Sequence, residues 1–510
     1  MKKDHLFSLV KSLDAKEQRY FQLQSGFYHK KEGSLYFRLF QLLLEQKEYD
    51  EPALIAKLYP GKPQSQFHVL KNHLYHQLLE SLIAFRGEKY TADKVDLLIR
   101  KSRLLQEKKL YKEADRFLAR AAGLAERRDH FERLLIIYKQ WKQLYAWILE
   151  VDKRALHIQR FWDKERMAIE QLSNLREMEW LSMRVFDLYY RKHYAKTKDE
   201  VAQYRELMQH PLLEKESLAR SFSARVIYLN THGLYEDAIG RKEQSLHFRS
   251  RLVSLYESRP DLIEEHFVQQ LAASNNYLLA LIHLGRYQEA QDALDHLARI
   301  PDLLNRKMKT EERVIWFRMY YSLQLEVHIR QGDFSMAKDM IPVVLSHFDR
   351  LGKALNPAFR FPFQYFFAYT CFVLREYDPA LDFLTPLLHQ LELKFRQELF
   401  RFARLLQIMI HFEKDDFDLL PSLQRSTRRY LRKSGTSFVL ENAILRFLDK
   451  APFADERQAF LSFRKELSAL PEEVLSDQVL HHLDLLAWTE SHIHKKPMAI
   501  LLRDRPDHYR

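Results

Sequence analysis

The stretch "LGRYQEAQDAL" (284–294) poses the question that decides the architecture. Gly285 is followed two residues on by Tyr287, then by Ala290 and Leu294, inside an otherwise unbroken helical pattern. A glycine ends a helix where the left-handed conformation is needed. An aromatic one turn ahead of a small residue shares its face on the next helix. The small residue then lets two helices approach closely. Read alone, the segment is one helical hairpin.

It recurs. Tyr111, Ala114 and Leu118 stand in "EKKLYKEADRFL" (107–118), and Gly233, Tyr235 and Ala238 in "THGLYEDAIGRK" (231–242). "RQGDFSMAKDMI" (330–341) has Gly332, Phe334, Ala337 and Ile341, and "LREYDPALDFL" (374–384) has Tyr377, Ala380 and Leu384. A worn copy, "EKDDFDLLPSL" (413–423), keeps Phe417 with Leu420 in the alanine position. Apolar-periodic segments such as "FVQQLAASNNYLLALIHL" (267–284) precede the turns, as the first helix of each pair requires.

This pattern resembles the second-helix half of the tetratricopeptide repeat (TPR), over roughly 95–450. The Trp-Leu-Gly-Tyr positions of the family's first helix are mostly not visible. The aromatics from Tyr235 to Phe417 follow at intervals of 52, 47, 43 and 40 residues, longer than the family's period of about 34. The resemblance implies an all-α fold: a TPR-like α-solenoid over 89–450 with helical capping modules at 1–88 and 451–510. The interval between Tyr111 and Tyr235 has room for two or three degenerate units, with "FDLYYRKHYAKTKDEV" (186–201) one candidate. The "SLDAKEQRYF" and "HHLDLLAWTESHI" segments also resemble those of an uncharacterised bacterial group of helical-repeat proteins, a likeness that brings no activity with it.

Composition agrees. Only 11 glycines occur in 510 residues, well under the usual share of about 7%, so phosphate-cradling loops and many tight hairpins are out of reach. Hydrophobic residues at 46% and charged residues at 29% describe a folding chain rather than a disordered one. The single cysteine, Cys371, sits in the apolar "YFFAYTCFVL" and reads as a small buried hydrophobe; it excludes a disulfide framework and Cys-rich metal sites. Asp4 and His5 interrupt the start before an apolar run of signal-peptide length, and no apolar run approaches a membrane span, so the expectation is cytoplasmic. The net charge of +12 permits an anionic partner without requiring one.

Catalysis is not expected. The chain has no Walker A loop, no dinucleotide-binding G-x-G-x-x-G, no H-E-x-x-H and no G-x-S-x-G. No cofactor is implied. Of the C-terminal histidines, His481 with His482, and His492 with His494, diverge around a helix and read as surface residues rather than metal ligands.

Three binding leads remain. Arg425, Arg428, Arg429, Arg432 and Lys433 in "SLQRSTRRYLRKSG" (422–435) occupy one helix face, with Leu423, Tyr430 and Leu431 supplying apolar contacts. They form either an anion-binding stripe or a solvated face paired with Asp415, Asp416 or Asp418. In the segment 51–86, a short helix, a "YPGKP" turn and a long helix with Gln64, Gln66, His68, Lys71 and Asn72 near its start resemble the end of a winged-helix module of bacterial activators. Finally, peptide-binding TPR grooves hold ligand backbone with first-helix asparagines. Asn275 and Asn276 resemble them, and the corresponding offsets reach Ser322 and Tyr365. The reading is a non-catalytic protein- or peptide-binding scaffold. The alternative is a DNA-binding regulator with an N-terminal helix–turn–helix and a TPR-like sensor domain.

Overall fold

The computed structural model describes residues 4–28, 35–61, 63–86, 91–148, 151–192, 194–195, 197–389, 397–433, 438–451, 455–470 and 483–504. Every regular element among them is helical. The chain divides into two compact units, residues 1–179 with 217–225, and residues 180–216 with 226–510. The first run of helices is α1 (His5–Ser12), α2 (Ala15–Tyr28), α3 (Leu35–Glu45), α4 (Glu51–Leu58), α5 (Gln64–Arg86), α6 (Thr91–Glu107), α7 (Tyr111–Glu126) and α8 (Phe131–Ile148). Helix α9 (Val151–Lys192) continues from the first unit into the second. There follow α10 (Lys198–Met208), α11 (Pro211–Glu214), α12 (Phe222–Ala238), α13 (Lys242–Glu257), α14 (Ile263–His283), α15 (Tyr287–Arg299), α16 (Thr310–Arg330) and α17 (Phe334–Leu351). The last are α18 (Phe361–Val373), α19 (Tyr377–Leu388), α20 (Gln397–Glu413), α21 (Leu420–Lys433), α22 (Val439–Lys450), α23 (Glu456–Ser468), α24 (Leu485–His494) and α25 (Met498–Arg503). No described helix is long and apolar enough to cross a membrane.

The opening stretch is a hairpin turn of defined geometry. Gly285 has φ +69°, its N–H donates to Ile282 O at 3.0 Å, and the N–H of Arg286 donates to Leu281 O at 2.9 Å. This Schellman arrangement closes the carbonyls that a helix end leaves open. The same pair of bonds forms around Gly332 (φ +74°), Lys109 (φ +61°), Arg375 (φ +62°) and Asp415 (φ +59°). At three of these sites a residue with a Cβ accepts a conformation easiest for glycine, so the turn is set by helix packing rather than by glycine. The fourth residue of each following helix is fully buried in α7 (Ala114), α15 (Ala290), α17 (Ala337) and α19 (Ala380).

One copy is misplaced by the sequence pattern. Gly233 is not a turn: it lies inside α12, and the left-handed residue is Gly240, with φ +79°. The small residue on the next helix is then Ser245, whose Oγ donates to Gly233 O at 2.8 Å. A Cβ on Gly233 would meet Arg249 Cγ at 3.4 Å, an ordinary contact distance, so Gly233 lies at the α12–α13 contact. Tyr235 and Ala238 imitate the motif because both are buried on α12 one turn apart. Ser102 makes a matching contact in the first unit, its Oγ donating to Ala114 O at 2.9 Å.

The interval between Tyr111 and Tyr235 holds α8, α9, α10 and α11, of which α9 is 42 residues long, and the candidate segment 186–201 begins in α9 and ends in α10. The sequence of α9 has neither glycine nor proline, so nothing in it ends a helix.

In the first unit, α1 and α3–α5 enclose a core of Leu6, Val10, Leu39, Phe40, Leu54, Phe67 and Leu74. The capping box at Asp14 forms: its Oδ1 accepts from the N–H of Glu17 at 2.8 Å, and Glu17 Oε2 accepts from the N–H of Asp14 at 3.0 Å. In the second unit, successive helices from α13 to α21 pack on one another, and α14, α16, α18, α20 and α22 also touch in series. Cys371 is buried in the core of α18, and burial pushes its thiol pKa up to about 11. The C-terminal end of this unit is closed by Trp488 of α24, whose ring lies 5.2 Å from Phe460 and 5.8 Å from Phe447. Residues Leu502 and Arg503 of α25 lie against the turn at Gly332.

That last contact yields a prediction. A Cβ at Gly332 would sit 2.5 Å from the Arg503 backbone, whereas at Gly240 it would meet nothing within 4 Å. Both glycines have positive φ, so Gly240→Ala should cost about 1–2 kcal/mol from backbone strain alone. Gly332→Ala should cost measurably more in urea unfolding, because α25 must also shift. Equal losses would show that α25 does not hold this position.

Candidate functional site

Helix α21 presents two opposite faces. Leu420, Gln424, Thr427 and Leu431 are buried at intervals of three or four residues, as a helix packed on one side requires. The other face carries Arg425, Arg428, Arg429 and Arg432, which line a recess of about 430 Å³. Leu423 and Tyr430 are partly buried beside the core, and Tyr430 receives the Arg404 guanidinium over its ring at 4.9 Å. The side chain of Lys433 lies outside the described residues.

The expected acidic partners of this stripe are not the observed ones. Asp416 is taken by His411, 3.0 Å away, and Asp415 forms the left-handed turn. The carboxylate that reaches the stripe is Asp449 of α22, accepting from Arg428 Nη2 at 2.5 Å. Arg425, Arg429 and Arg432 are exposed and have no acid within 4.0 Å among the described residues. Like charges at these spacings repel by about 0.2–0.5 kcal/mol per pair, a tension an anion would relieve.

The groove candidates do not form one set. Asn275 and Asn276 are half-buried on α14, with Asn275 Nδ2 donating to Asn276 Oδ1 at 3.4 Å. Ser322 is half-buried on α16. Tyr365 is overturned as a ligand contact: it is fully buried in the core of α18, and burial holds its phenol pKa well above the ordinary value. Its offset from Tyr377 matches that of Asn275 from Tyr287, but α18 is apolar on nearly every side, so position along the helix did not reveal which face looks outward.

On α5, Gln64, Gln66, His68 and Asn72 are exposed. Lys71 is not available to a nucleic acid. Its ammonium donates to Asp4 Oδ2 at 2.7 Å, Tyr49 OH at 2.6 Å and Glu51 Oε2 at 2.8 Å. Burial opposes its charge, but these partners outweigh it and raise the lysine pKa, while Asp4 and Glu51 are held below the ordinary carboxylate range. Lys71 therefore ties α1, α4 and α5 together. Wing strands do not occur among the described residues.

Among the C-terminal histidines, His492 differs from expectation. His481 and His482 lie outside the described residues. His494 is half-exposed, 2.9 Å from Glu490. His492 is not a surface residue: it is stacked on Phe460 at 4.0 Å and held between Glu413 and Glu456, each at 2.7 Å. Glu413 also accepts from Trp488 Nε1 at 2.5 Å and Tyr377 OH at 2.8 Å. Burial opposes the charged imidazole, but hydrogen bonding and charge from Glu413, then Glu456, raise its pKa above the ordinary value. No group of three or more potential metal ligands converges among the described residues.

Sequence reasoning missed one surface. Trp180, Met183 and Tyr190 of α9 are 53%, 70% and 72% exposed. Their spacing of three and seven residues places them along one side of the helix. An apolar stripe of this kind reads from sequence as a buried face, and the burial pattern alone separates the two.

Two predictions follow from these clusters. Lys71→Met should destabilise the chain by about 3 kcal/mol in urea, because Asp4 and Glu51 lose their shared counter-ion. A loss confined to ligand binding would contradict the structural role. His492 has a folded-state pKa above its unfolded value, so its stabilisation is complete below about pH 6.5 and fades as pH rises through the higher folded value. Unfolding free energies measured from acid to alkaline pH should fall across that window in the wild type and flatten in His492→Gln.

Compared with family models, with curated proteins and with solved structures, the chain shows no match.

Proposed function

We propose that this chain is a non-catalytic, cytoplasmic helical scaffold that binds an acidic segment of a protein partner on the arginine face of α21. The observation that carries the reading is the set of exposed guanidiniums lining one recess, three of them without an acid among the described residues. Asp449 on Arg428 demonstrates the chemistry: a carboxylate already sits against this face. Asp449 of the neighbouring helix α22 interrupts the basic surface that a long polyanion would need. The apolar stripe of α9 supports a protein partner further, since exposed Trp, Met and Tyr are typical of protein interfaces.

The architecture that suits this role is a TPR-like α-solenoid. In its favour, the left-handed residues Gly240, Gly285, Gly332, Arg375 and Asp415 follow one another at intervals of 45, 47, 43 and 40 residues. Replacing the assumed turn at Gly233 by Gly240 makes the spacing more even. Series contact among α14, α16, α18, α20 and α22 is the packing that stacked hairpins produce.

The test is titration of a fluorescent oligoglutamate peptide against the full chain. Arg429→Glu with Arg432→Glu should weaken binding by at least about tenfold and leave the unfolding midpoint nearly unchanged, since both side chains are exposed. Added salt should weaken the wild type. Binding of duplex DNA that survives the arginine changes but is lost in Gln66→Ala/His68→Ala/Asn72→Ala would sink this reading in favour of the DNA-binding regulator.

A further inference from the structure

A second recess, of about 360 Å³, lies among α13, α14 and α15, remote in sequence from the arginine stripe and of opposite character. Glu257 comes from α13, Ser274 and Tyr277 stand one turn apart on α14, and Glu289, Asp292 and His296 span two turns of α15. In a chain with net charge +12, the ionisable groups lining this recess include three carboxylates and no lysine or arginine.

The carboxylates are unequally engaged. Glu257 Oε1 lies 3.3 Å from His296 Nε2, and Glu289 Oε1 accepts from Arg286 Nε at 2.7 Å. Asp292 is exposed and has no ion pair among the described residues. An independent feature sits on the inner wall. Ser274 is only 4% exposed, and its Oγ has no hydrogen-bond partner among the described residues. A buried hydroxyl left in that state costs about 1–3 kcal/mol. Other small hydroxyls at helix contacts in this chain, Ser102 and Ser245, are bonded to a neighbouring helix carbonyl. Ser274 departs from that pattern, and it does so on the wall of a recess that three acids also line. Tyr277 adds a half-buried ring whose face suits a cation.

We infer that this recess binds an alkylammonium group. An ammonium has three diverging N–H donors, and here the acceptors stand on different walls: the Ser274 hydroxyl inside, and the Glu289 and Asp292 carboxylates on α15. A guanidinium presents its donors in one plane and matches acceptors on two separate helices less well. A bare metal ion is disfavoured because these side chains do not converge at coordinating distance. The volume accommodates a short alkyl chain behind the ammonium, at the lower end of the range of about 300–1,000 Å³ seen for ligand sites. The group can belong to a free diamine or to a lysine side chain of a partner.

Isothermal titration of the full chain separates these sources, using cadaverine in one arm and the capped tripeptide Gly-Lys-Gly in the other. The capped Gly-norleucine-Gly peptide is the uncharged control. Binding of cadaverine alone identifies a free amine, and binding of the lysine peptide identifies a side chain; either supports the site. Asp292→Asn and Ser274→Ala should each weaken it, by about tenfold for the charged contact and less for the hydroxyl. Both are near-isosteric, and far-ultraviolet circular dichroism checks that they fold. The inference is overturned if neither ligand binds, if norleucine binds as well as lysine, or if both variants bind like the wild type.

Discussion

Two helices joined by a short turn pack closely only if the chain reverses direction sharply and nothing bulky stands between them. In this protein one local geometry meets both demands. A residue in the left-handed conformation closes the first helix, and in five of these turns a buried alanine or serine lies at the contact five positions later. The paired Schellman hydrogen bonds satisfy the last carbonyls of one helix, and the small residue brings its neighbour within reach of dispersion forces. The series packing of α14 through α22 depends on the orientation these turns impose.

On this frame, charge is handled in two distinct ways. Lys71 and His492 are basic groups drawn into partly buried sites where several oxygens share them, so they bind helices together. Arg429 and Arg432 belong to a helix whose buried face is already complete, leaving them in solvent. The acidic recess beside Ser274 is the reverse case, with carboxylates in its lining and a buried hydroxyl that has no partner among the described residues. A net charge of +12 says little about any of these sites, since each is decided by its immediate neighbours.

Much of the helical content was legible from periodicity, as were the turns at Gly285 and Gly332 and the capping box at Asp14 and Glu17. Those features rest on contacts within a few residues. The error at Gly233 shows the limit: glycine in a helix contact and glycine in a turn have the same letter, and only the φ of Gly240 distinguishes them. Tyr365 failed for a related reason. Its position along α18 was inferred by offset, but the surrounding helices bury that helix on nearly every side.

The candidate sites divide along the same line. The amino-acid sequence by itself determined that Arg425, Arg428, Arg429 and Arg432 share a face, because helical spacing is a property of neighbouring residues. It equally determined that the chain has one cysteine and few glycines, which limits the chemistry available. Only the tertiary structure decided that Asp449, rather than Asp415, Asp416 or Asp418, meets the stripe, that Lys71 is structural, and that His492 sits between Glu413 and Glu456. It alone placed Ser274 and Asp292 in the lining of one recess. Each of these depends on the angle and register at which separate helices pack, and those are set by side-chain volumes summed across an interface rather than by any local run of residues.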